Sequence, residues 1–67
     1  MKYNIQFEQE HDGRWIAEVP DLPGVLAYGG TKDDALAKVE ALALRVVADK
    51  IEHGESSPDF IISFSTL

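Results

Sequence analysis

EVPDLPGVLAYGGTKDDAL, residues 18–36 of a 67-residue chain, decides how the remainder is read. Two prolines flank Asp21 and Leu22. Each fixes its own φ and biases the residue before it toward extended geometry. Pro20 cannot donate to a strand ladder, so a strand that reaches it stops there. Gly24 permits a sharp change of direction. Residues 25–28 read as a short strand, ended by Gly29 and Gly30. Thr31 is a good helix N-cap, and Asp34, three residues on, can reach back as a variant of the capping box. Asp33 and Asp34 also fall in the first turn, where the helix dipole favours negative charge. The stretch is a strand end, a stiff turn, a strand and a helix start.

Upstream, Tyr3, Ile5 and Phe7 alternate with Asn4, Gln6 and Glu8, the pattern of a half-buried strand. Asp12-Gly13 is a hairpin signal. Trp15, Ala17 and Val19 then alternate with Ile16 and Glu18 in a second, antiparallel strand. Downstream, Ala35, Leu36, Val39, Leu42, Ala43, Val46 and Val47 repeat at helical spacing. Gly54 stops that helix at C′, with Lys50 and His53 in its last turn. Its length is roughly 20 residues, about 30 Å. After a loop, Phe60, Ile62 and Phe64 alternate with Ile61, Ser63 and Ser65 in a fourth strand. The predicted fold is α+β, in the order βββαβ. Three meandering strands and a right-handed return give the strand order 3-2-1-4, with the helix on one face. Tyr3, Ile5, Phe7, Trp15, Ala17, Val19, Phe60, Ile62 and Phe64 are assigned to the covered face, Ile16 and Ile61 to the other.

A chain this short forms one domain, residues 1–67, with a marginal core. It has no cysteine, which removes disulfides and thiolate zinc sites. His11 and His53 lie far apart in sequence, so no metal staple and no cofactor are expected. Self-association is then the expected remedy. Ala37, Ala41, Leu44 and Ala48 form a second helical stripe that admits two readings: alanine's helix propensity, or close approach of another chain. Ala41, Leu44 and Ala48, with Ile61, are the candidate oligomer contacts. Acidic residues outnumber basic ones 12 to 6, for a net charge of −6. That argues against direct nucleic-acid binding and suits a basic protein partner. The N-terminus has no apolar signal region, and no apolar run approaches a membrane span. A cytoplasmic protein with no membrane association is expected.

Trp15, then Pro20-Asp21-Leu22-Pro23-Gly24, a short strand, Gly29 and Thr31, Asp34-Ala35 at the helix opening, and Gly54 and Pro58 at its exit form a pattern that resembles the HicB antitoxin family. Its hallmark runs P-D-L-P-G, a few residues, G-D/E-T, a D/E-E-A helix opening and a Gly-x-x-x-Pro exit. Gly30 departs from it, standing where an acidic or polar residue is usual, and so does Asp34, where glutamate is commoner. The resemblance covers nearly the whole chain. It implies a partial ribonuclease-H-like fold and a HicA-type toxin as partner, a small basic ribonuclease blocked by occlusion of its active surface. It also implies a homodimer or homotetramer. Larger members carry a C-terminal DNA-binding domain, which is not expected here.

A ribonuclease-H-like fold invites an enzyme reading. Two-metal nucleases need several converging carboxylates. The first strand offers Asn4 and Gln6, the helix Glu40 and the fourth strand only Asp59 at its start. His11 beside Asp12 reads as a solvated turn, and Gly29-Gly30-Thr31 lacks the lysine of a P-loop. No enzymatic activity is expected. Leu22, an apolar residue between prolines, is either tucked into the core or offered to a partner. Candidate partner contacts are Asp21, Leu22, Pro23 and Trp15; Pro20, Gly24, Gly29, Thr31, Asp34 and Gly54 are structural. The functional expectation is an antitoxin. The alternative is a stand-alone oligomeric regulator or scaffold of the same fold.

Overall fold

A computed structural model of the chain describes residues 2–55 and 62–66. It contains β1 (Lys2–Gln9), β2 (Trp15–Glu18), β3 (Leu26–Gly29), α1 (Lys32–Glu52) and β4 (Ser63–Thr66). The sheet order is β3-β2-β1-β4. β1 pairs antiparallel with β2 and parallel with β4, and β2 pairs antiparallel with β3. The α+β architecture and the strand order are those read from the pattern. The third strand begins one residue later than the pattern suggested, and the fourth is described from Ser63. Phe60 and Ile61 lie outside the described residues.

The β1–β2 turn is closed locally. The Glu10 N–H donates to the Arg14 carbonyl at 2.8 Å, and Gly13 takes φ +92°. The Asp12 carboxylate accepts from the Arg14 backbone N–H at 3.1 Å and from Arg14 Nε at 2.8 Å. These bonds, the backbone one first, hold the Asp12 carboxyl below its ordinary value. The carboxylate is thus committed to Arg14 and not to His11.

Residues 19–25 form two β-turns in series. The Leu22 N–H donates to the Val19 carbonyl, and the Val25 N–H donates to the Leu22 carbonyl, both at 3.0 Å. A proline occupies the second position of each turn, where its fixed φ is already correct. Gly24, third in the second turn, has φ +83°, the left-handed value of a type II turn. A further bond from the Val19 N–H to the Val25 carbonyl closes the loop at 3.0 Å. Leu22, shared by both turns, points inward and is 4% exposed.

α1 packs against β3 and β2. Ala35, Val39, Ala43 and Val47, each one turn from the last, form its buried spine. With Ile5, Ala17, Val19, Leu22 and Val25 they make the core. Because the helix lies over β2 and β3, the β1–β4 side of that face is only partly covered. Tyr3, Phe7, Trp15 and Phe64 are accordingly half-buried rather than central. Tyr3 and Phe64, register partners on adjacent strands, stack at 5.9 Å between ring centroids.

The helix ends follow the expected chemistry, with one change. The Asp34 N–H donates to Thr31 Oγ1 at 3.0 Å, as an N-cap requires. The Asp34 carboxylate reaches past the cap residue and accepts from the Gly30 N–H at 3.2 Å, and it pairs with Lys38 at 3.2 Å. At the other end Gly54 has φ +72°; its N–H donates to the Ile51 carbonyl, and the Glu55 N–H donates to the Lys50 carbonyl. That pair of bonds is a Schellman closure.

Candidate partner-binding surface

Strand alternation divides the sheet into two faces. The odd-numbered residues of β1, β2 and β3 turn toward α1. The even-numbered ones form an uncovered face. The register sets two rows across it: Glu8, Ile16 and Tyr28 in one, Gln6, Glu18 and Leu26 in the next. Apolar groups therefore gather toward β3 and carboxylates toward the centre and β1. Tyr28 is 44% exposed and Leu26 38%. A shallow depression of about 130 Å³ lies between the rows, lined by Gln6, Phe7, Glu8, Ile16 and Glu18. The Arg14 guanidinium sits 5.1 Å from the centre of the Tyr28 ring while tied to Asp12. One of the nearby cations is thus already engaged.

β3 ends the sheet order, so it also offers a strand edge. In an antiparallel pair, hydrogen-bonded and non-hydrogen-bonded positions alternate. The bond from Val19 to Val25 sets the phase, which turns the backbone groups of Leu26 and Tyr28 away from β2. The side chains of these two residues stand on the open face, and their backbone groups face outward.

Most of this chain aligns with proteins from two archaea. It is 31% identical over 58 residues to a UPF0150 protein of Thermoplasma acidophilum, an alignment that covers 87% of this chain and 84% of that protein. It is 35% identical over 57 residues to a UPF0150 protein of Archaeoglobus fulgidus, covering 82% and 83%. The chain belongs to the UPF0150 family. No family model matches it, and no solved structure does.

In this UPF0150 chain the residues read as partner contacts divide. Asp21 and Pro23 are exposed on the paired turns, at the end of the β2–β3 ribbon beside Glu18 and Leu26. Leu22 requires correction. It is a core residue, 4% exposed in the cluster that holds Val19 and Val25, and it has almost no surface to offer. Trp15 lies on the helix-covered face, half-buried. Lys32 Nζ rests 5.8 Å from its ring centre and 4.7 Å from that of Phe7.

The outer stripe of α1 is exposed at Ala41, Leu44 and Ala48, with Leu44 at 46%. The open-face residues Leu26 and Tyr28 were missed as site residues. A four-residue strand carries too few alternations to assign their face from sequence, although the glutamates on the neighbouring strands hinted at it. No helix among the described residues is long and apolar enough to cross a membrane.

Proposed function

We propose that this UPF0150 chain is an antitoxin of the HicB type, which binds a small basic HicA-type ribonuclease in the cytoplasm and blocks it by covering its active surface. The observation that carries this reading is the open sheet face, where exposed Leu26 and Tyr28 lie beside Glu18 and Glu8 in a chain of net charge −6. Apolar anchors ringed by acidic groups suit a basic partner: the ring steers encounter and the anchors hold. The hallmark around Pro20 and Gly24 supports the same reading, since the paired turns hold the exposed Asp21 in a bonded loop at the end of the β2–β3 ribbon. On this reading the chain performs no turnover. It self-associates as a homodimer or homotetramer through the exposed stripe of Ala41, Leu44 and Ala48.

The test is co-expression with the small basic protein encoded beside it. Growth rescue and co-purification are expected, and Tyr28→Ala with Glu18→Lys should weaken the complex at least tenfold while leaving the fold unchanged. Persistent growth arrest with no co-purified complex would exclude the reading, and so would the absence of such a neighbouring frame.

A further inference from the structure

The end of α1 gathers three side chains that the partner-binding surface does not use. Asp49 and His53 are four residues apart, so they project from the same side of the helix. The left-handed Gly54 then turns the chain back, and the 2.8 Å bond from the Glu55 N–H to the Lys50 carbonyl fixes Glu55 against the same turn. One ring nitrogen of His53 and one carboxylate oxygen from each of Asp49 and Glu55 lie within 4.8 Å of one another, all exposed. His53 Nδ1 is 3.3 Å from Asp49 Oδ1 and 2.8 Å from the Asp49 carbonyl. Two ligands on one tetrahedral ion with bonds of about 2.0–2.2 Å stand roughly 3.3–3.6 Å apart. The imidazole and the Asp49 carboxylate are already at chelating separation. Among the described residues no lysine or arginine nitrogen reaches ion-pair distance of the Glu55 carboxylate. Arg45 and Lys50 do line the cleft that Asp49 and Glu55 share.

We propose that Asp49, His53 and Glu55 form a surface site for a divalent first-row transition-metal ion such as zinc, with water completing its shell. One imidazole and two carboxylates make a mixed nitrogen–oxygen set. Calcium and magnesium favour all-oxygen sites, and zinc, nickel and copper accept imidazole. Without an ion His53 Nδ1 donates to the Asp49 carbonyl; binding the ion through Nδ1 displaces that proton and replaces that bond, as metal binding to imidazole requires. The negative end of the helix dipole adds attraction for a cation at this position. The ligands span the last helical turn and the residue beyond Gly54, so the ion clips the turn closed and stabilises the folded state by linkage. The site stands apart from the open sheet face, and its test does not depend on a toxin.

Zinc chloride titrated into the untagged protein by calorimetry, with cobalt(II) visible absorption as a second readout, decides the matter. One saturable equivalent and a rise in Tm are expected. His53→Ala should lower the affinity at least tenfold and abolish the Tm rise, and Asp49→Asn and Glu55→Gln should each weaken binding. All three side chains are exposed, so these variants fold, which circular dichroism checks. His11→Ala, which removes the chain's only other histidine, should bind as the parent does. Zinc binding that survives His53→Ala, that is lost in His11→Ala, or that never saturates would overturn the proposal.

Discussion

Adding one methyl group, Gly29→Ala, should cost this protein a large share of its stability. Gly29 is buried at the end of β3, and its φ is not positive, so the glycine is not there for backbone freedom. It is there for space. A Cβ on Gly29 would run into the Ala35 backbone nitrogen, and it would meet the Ala35 Cα and the Asp34 carbonyl carbon at 2.9 Å each. All three atoms belong to the first turn of α1, and none can swing aside as a side-chain tip could. Relief requires moving the helix start away from the sheet, which loosens the contacts of Ala35 and Val39 with the core. Overpacking of well-packed sites costs about 1–3 kcal/mol, and a rigid backbone neighbour places this one at the upper end, about 3 kcal/mol. Restricting the unfolded chain returns about 0.4–1 kcal/mol. The net loss is about 2 kcal/mol, a fall in Tm of roughly 8–16 °C for a domain of this size. Single cores below roughly 70–80 residues rarely supply more than about 3–5 kcal/mol, so about half the total is at stake.

Urea and thermal unfolding followed by circular dichroism measure the loss. Gly30→Ala is the matched control, with the same substitution one residue on. A Cβ there meets nothing within 4 Å, and Gly30 has no positive φ. Its backbone N–H, which donates to Asp34, survives the change. Gly30→Ala should stay within about 0.5 kcal/mol of the parent. Equal stability of the two variants would refute the claim that the helix start is seated directly on β3.

Three further outcomes follow from the same geometry. Leu22→Ala should destabilise by about 2–5 kcal/mol, the range for truncating a buried leucine, whereas Asp21→Ala should leave Tm unchanged and weaken partner binding; chemical denaturation and a pull-down separate the two. Gly54→Ala should cost about 1 kcal/mol or more, because the left-handed φ is strained for a residue with a Cβ, and it should lower helicity at the α1 C-terminus by amide exchange. The Asp34 carboxyl is held below its ordinary value of about 3.8, first by its hydrogen bond to Lys38 and then by that from the Gly30 N–H. A depressed carboxyl stabilises the fold fully above that ordinary value, and the contribution is lost as pH falls through the lower folded-state value. Asp34→Asn should therefore be less stable than the parent at pH 7, and the gap should close below about pH 3.8 in a pH series of melts.

Much of the fold was legible because each element carried more than one signal. β1 and β2 had alternation on both sides of an Asp-Gly turn, and α1 had a cap, a periodic face and a stopping glycine. The order β3-β2-β1-β4 then followed from chain connectivity and crossover handedness. The lateral position of the helix was not legible, since periodicity reports which side chains of a helix are buried but not which strands they meet. Hence Phe7, Trp15 and Phe64 lie on the covered face to which the alternation assigns them but only half-buried, while the small residues Ala17, Val25 and Ala35 hold the centre. Leu22 was ambiguous for a related reason: proline spacing predicts a turn, but only the two hydrogen bonds at Val19 and Val25 decide where its apex side chain points. The open face was hinted at by Ile16 and Glu18, and it became a surface only when the register placed Tyr28 and Leu26 beside them.

That register also separates what folds this chain from what it can bind with. The buried spine is alanine and valine, so α1 sits close to the sheet, and the close seating is why Gly29 has no room for a methyl. A spine of such small groups buries little area per residue, and several larger apolar side chains lie outside the fully buried core that Ile5 and Leu22 complete: Tyr3 and Phe64 at the β1–β4 margin, Leu26 and Tyr28 on the open face, Leu44 on the outer helix. Covering those groups is a hydrophobic gain still open to the molecule, at about 25 cal/mol per Å². Changes on the open face should move affinity with little effect on Tm, whereas changes along the spine or at Gly29 should move Tm first and affect affinity only through the folded fraction. If the open face is the recognition face, as proposed, this arrangement keeps it free of folding duties and so free to change with its partner.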